Sequence, residues 1–191
     1  MKPLKNWDNK TWLSSKKYID QFHKFLKKEV KLNKDTRILD IGCGRANIIS
    51  FLQKKYKFKE KPIGLDIIKN DNTKKNIIFK KIDAIEFLKK NDKCFDIILV
   101  KQTIHFFSKK KIISLINLCK KRLNKRGTFF VFSLKRKNNQ IPSFQLMKKK
   151  LNQSLKKDKK IFSLIKKNLK KFENKKFKYK ATVEKKVYIK M

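Results

Sequence analysis

Glycine and proline are scarce in this chain, at four and three of 191 residues. They gather nowhere into a linker and no repeat is evident, so the expected organisation is one domain over residues 1–191. Cysteine is as sparse. Cys43, Cys94 and Cys119 are odd in number, widely spaced and contain no C-x-x-C pair. That pattern argues against a disulfide frame or a zinc site and for reduced thiols in the cytoplasm, with no metal expected. No apolar run reaches the length of a membrane span, and the first residues carry no apolar signal core.

Arginine and acids are also few. Lysine and arginine total 55 against 15 aspartates and glutamates, a formal net charge of +40, yet arginine stands only at positions 37, 45, 122, 126 and 136. Arginine is the better fork for phosphates and base edges, so its scarcity weakens the reading of so basic a chain as a nucleic-acid binder. The chain is crowded instead with Lys, Asn, Ile and Phe, all of which use AT-rich codons. Genome bias therefore ranks above a polyanion partner as the source of the charge, with non-specific sticking to nucleic acid still expected.

Strands and helices alternate along what remains. Helical spacing covers residues 9–31, through Trp12, Tyr18, Phe22 and Leu26. Strands are expected at 37–41, 62–67, 76–83, 95–100 and 127–134, and helices at 47–55, 84–90 and 109–123. Residues 124–127 read as a helix stop with Gly127 as its C-terminal glycine. Beyond 135 the texture turns lysine-rich, with helices expected at 144–155 and 161–172 and a closing hairpin from strands at 177–183 and 186–191. Alternation of this kind implies an α/β parallel sheet with helices on both faces.

The densest block is Arg37-Ile-Leu-Asp-Ile-Gly-Cys-Gly-Arg-Ala46. It is a buried strand running into a glycine turn that opens a helix, a place where a nucleotide-like ligand meets free backbone amides. Asp40 would repel a pyrophosphate there and attract an ammonium. The dinucleotide pattern G-x-G-x-x-G fits poorly, because its third position falls on Asn47.

This block resembles the first motif of the class I, Rossmann-like S-adenosylmethionine-dependent methyltransferases, acid-x-Gly-x-Gly-x-Gly, with Ala46 in place of the third glycine. The resemblance spans 36–134 in detail and the flanks by topology. It implies a doubly wound, seven-stranded, mostly parallel sheet with a C-terminal antiparallel hairpin. It also divides the domain into an N-terminal helical lid (1–35), a cofactor-binding core (36–134) and a tail of helices and hairpin (135–191). It implies S-adenosylmethionine as cofactor, with Asp40, Gly42, Cys43 and Gly44 at its methionine end, where Lys101 or Gln102 can also face it. Asp66 and Ile67 would meet the ribose, and Asp83 and Ala84 the adenine. Asp83 equally reads as a helix N-cap over Glu86. His105 and Phe106 stand after the fourth strand, where ligands bind in open α/β sheets. His105 can serve as a catalytic base or only as a packing and orienting side chain. Trp12 and Tyr18 are candidate acceptor contacts from the lid, or plain core residues.

The chain lacks the Asn-Pro-Pro-Tyr or Asp-Pro-Pro-Tyr loop of nucleobase amino-methyltransferases and the Pro-Cys of cytosine-C5 enzymes. No Asp after the fourth strand completes the Lys-Asp-Lys-Glu set of ribose methyltransferases. The favoured acceptor is thus a small molecule. An RNA acceptor and a non-catalytic binder of the same cofactor are the alternatives.

Overall fold

The structure is a computed structural model that describes residues 15–101, 103–134, 163, 165–168, 174–179 and 183–188. The expectations for Trp12, Gln102 and the helix at 144–155 lie outside those residues.

Helix α1 (Lys16–Glu29) is capped by Ser15, whose hydroxyl accepts from the Tyr18 amide, satisfying one of the donors a helix start leaves unpaired. The expected strand–helix series follows: β1 (Ile38–Ile41), α2 (Asn47–Tyr56), β2 (Ile63–Asp66), β3 (Ile78–Lys81), α3 (Ala84–Lys90), β4 (Phe95–Lys101), a single 3-10 turn (Ile104–Phe106), α4 (Lys109–Lys121) and β5 (Leu123–Leu134). The pairings β3–β2, β2–β1, β1–β4 and β4–β5 are all parallel. The order β3-β2-β1-β4-β5 therefore reverses direction between β1 and β4. At such a reversal the two flanking connections leave to opposite sides and open a crevice at the carboxyl ends of the strands.

Side-chain alternation in the central strands builds a core on each face of the sheet. Leu39, Ile41, Ile98, Val100, Phe129 and Val131 pack with Phe87 and Leu88 of α3 and with Ile112, Leu115 and Ile116 of α4. Ile38, Ile97, Leu99, Phe130 and Phe132 pack on the other face with Tyr18, Phe22 and Leu26 of α1 and Ile48, Ile49 and Leu52 of α2. The alternation puts Asp40 and Lys101 on this second face.

One local expectation is corrected. Helix α4 ends at Arg122, whose amide donates to the carbonyls of Cys119 and Leu118, and the chain enters β5 at once. Residues 124–127 form an irregularity in the pairing, since Phe95 faces Leu123 but Ile97 faces Thr128. Gly127 is not a left-handed helix cap, because only Gly42 and Gly44 among the glycines have positive φ. It is small because a Cβ there would come within 2.9 Å of the Phe95 carbonyl oxygen and of the Leu123 side chain.

Candidate active site

The turn between β1 and α2 is held by backbone geometry. Gly42, Gly44 and Ala46 take φ of 68°, 55° and 59°, a left-handed conformation that side chains disfavour. The amides of Gly42 and Cys43 both donate to the Leu65 carbonyl, at 2.8 and 2.9 Å, tying the turn to β2. A Cβ on Gly42 would lie 1.9 Å from Thr103 Oγ1, so Thr103 from the loop after β4 closes directly over the glycine. Thr103 went unnoticed in the sequence. Nothing in a lone Thr marks it as the lid of a turn some sixty residues earlier.

Two acids and one lysine meet around this turn. Asp40 is fully buried, and its Oδ2 lies 3.0 Å from Nζ of Lys101, whose side chain is 11% exposed. The contact is an ion pair, and neither Asp40 oxygen has a well-directed hydrogen-bond donor. Burial pushes the Asp40 carboxyl above the usual carboxylate range, and the Lys101 ammonium partly offsets it. Asp66, at the end of β2, accepts from the Gly44 amide through Oδ2 at 2.9 Å and from the Ile68 amide through Oδ1 at 3.1 Å. Asp66 thereby shapes the turn from the end of β2. Next to it Ile67 is 53% exposed, an apolar face at the rim of the crevice.

Asp83 caps α3 as the spacing implied. Its Oδ1 accepts from Ile85 at 2.8 Å and from Glu86 at 3.4 Å. Glu86 pairs with Lys90, while Lys111 of α4 donates to Asp83 Oδ2 at 2.9 Å. Burial raises the Asp83 carboxyl, but the Lys111 and Ile85 hydrogen bonds outweigh it and hold the group below its ordinary value. Lys111 is a partner that sequence spacing did not suggest. Ala84, the first helical residue, is buried.

Cys43 is a neutral thiol. Burial, and then the charges of Asp40 and Asp66, push it well above its ordinary value, so it is no nucleophile. His105 is 5% exposed inside the 3-10 turn, and Phe106 beside it is half-buried. Tyr18 is 1% exposed and packs against Phe22 at a centroid distance of 6.0 Å. Among the described residues no cluster of His, Cys, Asp or Glu is placed to hold a metal, and no helix is long and apolar enough to cross a membrane.

A parallel sheet with a glycine turn after β1 and acids at the ends of β1 and β2 and after β3 is a frame that can receive a nucleoside cofactor. A model of a methyltransferase domain matches residues 32–186, and the chain belongs to that family. Its Rossmann-like fold is that of the S-adenosylmethionine-dependent methyltransferases, and S-adenosylmethionine is the family's cofactor. Among solved structures, a SAM-dependent methyltransferase from Archaeoglobus fulgidus superposes with TM-score 0.62 at 20% identity, over 84% of this chain and 73% of that one. The plantazolicin methyltransferase BpumL, in complex with a triazolic desmethylPZN analog and SAH, gives 0.68 at 16% identity over 96% and 87%. The PH0226 protein of Pyrococcus horikoshii OT3 gives 0.64 at 17% identity over 96% of both chains. At these identities the likeness speaks for the fold. No curated protein matches the chain at a significant level.

The residues present fit such a cofactor. Asp40 offers a buried carboxylate lacking a directed donor, the turn brings backbone close to the crevice, and Asp66 and Ile67 set an acceptor beside an apolar face.

Proposed function

We propose that this chain transfers the methyl group of S-adenosylmethionine to a small-molecule acceptor. The observation that carries the reading is the glycine turn at the reversal of the sheet with Asp40 and Asp66 beside it, followed by Asp83 at the start of the helix after β3. Asp40, with Gly42, Cys43, Gly44 and Lys101, holds the methionine end. Asp66 accepts the ribose hydroxyls with Ile67 against the sugar, and Asp83 with the Ala84 amide meets the adenine. Bound there, the cofactor supplies an electrophilic methyl on a positively charged sulfur.

The chain's own work is largely positioning, since an acceptor held in line about 3–3.5 Å from that methyl needs little else. The acceptor contacts in this reading are His105 and Phe106 after β4, with Trp12 and Tyr18 as the further candidates from the N-terminal segment and α1. His105 takes the acceptor's proton where the attacking atom carries one. BpumL, a fold neighbour solved with an acceptor analogue, is one support for a non-nucleic-acid acceptor. The missing nucleobase and ribose methyltransferase motifs are another.

The same proposal covers the whole chain as one domain, residues 1–191, with 1–35 as the lid, 36–134 as the core and 135–191 as the tail. The sheet is completed to seven strands by an antiparallel hairpin of β6 (Asn174–Tyr179) and β7 (Val183–Tyr188). Support comes from the antiparallel register of Val131 with Tyr188 and of Lys178 with Glu184. Three free thiols favour the reducing cytoplasm. The charge of +40 sustains one rival, an RNA acceptor.

Calorimetry with S-adenosylhomocysteine tests the cofactor half, and heat with a single site is expected. Transfer of labelled methyl across metabolite and RNA pools tests the acceptor half. Label in small molecules and none in RNA is expected, and label confined to RNA reverses it.

A further inference from the structure

We infer that the acceptor is a small organic anion, drawn to the crevice by the basic half of its rim, with Lys109 and Lys110 at the start of α4 as the steering charges. This rests on the methyl-transfer reading and goes beyond it by assigning the charge of the acceptor. The reversal between β1 and β4 divides the rim into two halves. One is formed by the ends of β1 and β2 and the start of α3, and carries Asp40, Asp66 and Asp83. The other is formed by β4, α4 and β5. No Asp or Glu stands anywhere between Asp96 and Asp158, so these elements bring no carboxylate to the rim. Past β5 the only described acid is Glu184, opposite Lys178. Lys101 ends β4, and the first turn of α4 is Lys109-Lys110-Lys111. Lys101 and Lys111 are engaged by Asp40 and Asp83, at 3.0 and 2.9 Å. Lys109 and Lys110 are exposed, and no ion pair joins either to a described acid.

Two observations set this rim apart from a surface that is basic throughout. A codon bias acts on both halves alike, yet Asp158, Glu173 and Glu184 are the only acids after Asp96. Lysines in a first turn also oppose the helix dipole, so α4, capped by the Ser108 hydroxyl, gains nothing for its own stability from three of them. The division of charge fits the reaction. A cationic cofactor meets the acid half, and the other half attracts an anion. Walls of low dielectric focus such a field and raise the local concentration of the counter-ion. A small anion suits this half better than a nucleic acid does. Among the described residues no arginine stands on it, since Arg122 and Arg126 lie at the opposite end of the sheet, where α4 stops and β5 begins. Arginine is the better fork for a phosphate backbone, whereas lysine serves as a compact point charge.

Sorting acceptors by charge tests it. A metabolite extract is split by ion exchange into anionic, neutral and cationic fractions, with RNA kept apart. Each is incubated with the full chain and labelled S-adenosylmethionine. Label should be taken up from the anionic fraction. With that fraction, the double variant Lys109→Gln, Lys110→Gln should lower the rate at limiting acceptor by about tenfold and leave the rate at saturation unchanged. Added salt should shrink the difference by screening the rim. The same variant should bind S-adenosylhomocysteine in calorimetry as the wild type does, and should melt no lower, because the charges removed opposed the helix dipole. Uptake from the neutral or cationic fraction overturns the inference, as does a double variant with unchanged rates. A variant that melts lower makes the two lysines structural and also overturns it. Label in RNA alone overturns it in favour of the RNA acceptor. Label in no fraction refutes the methyl-transfer reading itself, a distinguishable failure.

Discussion

Ala46 shows how a single residue can sit against its own backbone preference. It occupies a left-handed position with φ of 59° and is fully buried against the α1–α2 core. Left-handed strain in a non-glycine residue costs about 1–3 kcal/mol, whereas glycine would forfeit about 0.5–1 kcal/mol in chain entropy and about 0.8 kcal/mol of methyl burial. These terms nearly cancel, which is why alanine is tolerated where the family pattern has glycine. Ala46→Gly should therefore change unfolding free energy by no more than about 1 kcal/mol, while Ala46→Val should lose over about 2 kcal/mol to strain and overpacking. Urea melts of the two variants check this, and a strongly stabilised Ala46→Gly would show the strain to be larger than argued. Asp66 is the second residue-scale test. An asparagine side chain in its place would keep only one carbonyl oxygen for the amides of Gly44 and Ile68, which Asp66 serves with two. Asp66→Asn should weaken S-adenosylhomocysteine by about 1.5–3 kcal/mol, and calorimetric affinity equal to wild type would remove Asp66 from the site.

Between elements, α1 is fastened to α2 by a contact that responds to pH. His23 Nε2 lies 2.7 Å from Tyr56 Oη. Burial raises the Tyr56 phenol, and the neutral imidazole shares one hydrogen bond with it. Burial, followed by the charges of Lys55 and Lys27, lowers the His23 pKa against the smaller pull of Asp20. A lowered folded value means that the unfolded chain binds the proton first. The contribution is complete above the unfolded value of about 6.5 and is lost as pH falls through the folded one. Thermal melts should thus show the wild type losing stability from pH 7 to 5, with a shallower loss in His23→Gln. Parallel curves would place the pH sensitivity elsewhere. This contact was not visible in the sequence, because it joins residues thirty-three apart whose meeting depends on how two helices cross. Elements were more legible. Runs rich in apolar residues marked β1, β4 and β5, and Asp83 with Glu86 marked the start of α3. The passage from α4 to β5 was misread because Gly127, next to Arg126, imitates a helix stop, whereas its smallness answers to the Phe95 carbonyl across the sheet. Asp40, Asp66 and Asp83 were legible as strand-end acids. Lys101 was legible at the same end of the site, but its pairing with Asp40 and the closure of Thr103 over Gly42 were not, because β4 becomes the neighbour of β1 only through a reversal of strand order that no local pattern encodes.

Across the whole molecule, among the described residues, many of the few acids do structural or ligand work, and apart from such lysines as Lys101 and Lys111 most of the lysines do not. At the amino end of the sheet Asp96 accepts from the Arg37 amide and the Asn124 side chain. Glu60 there pairs with Arg37 and Lys93, Asp35 with Lys59, and Asp92 with Arg122. At the carboxyl end stand Asp40, Asp66 and Asp83. With 55 bases against 15 acids the net charge is +40, far more positive charge than the acids can neutralise. Exposed pairs contribute little in any case, so the surplus acts as a diffuse field that repels itself and attracts polyanions. If that field answers to no partner, RNA binding should be non-specific and weak, about 10⁻⁴–10⁻⁶ M at physiological salt. Its log–log salt slope should be about −0.7 per neutralised phosphate on single strands. Added salt should also raise the melting temperature, because screening relieves the self-repulsion. Filter binding across a salt series, with several unrelated RNAs as probes, reads the first expectation, and melting curves read the second. One RNA fragment held at nanomolar affinity at about 150 mM salt, where the Debye length is only about 8 Å, would mean that the lysines form a built surface. Methylation of that fragment would pass the acceptor role to RNA.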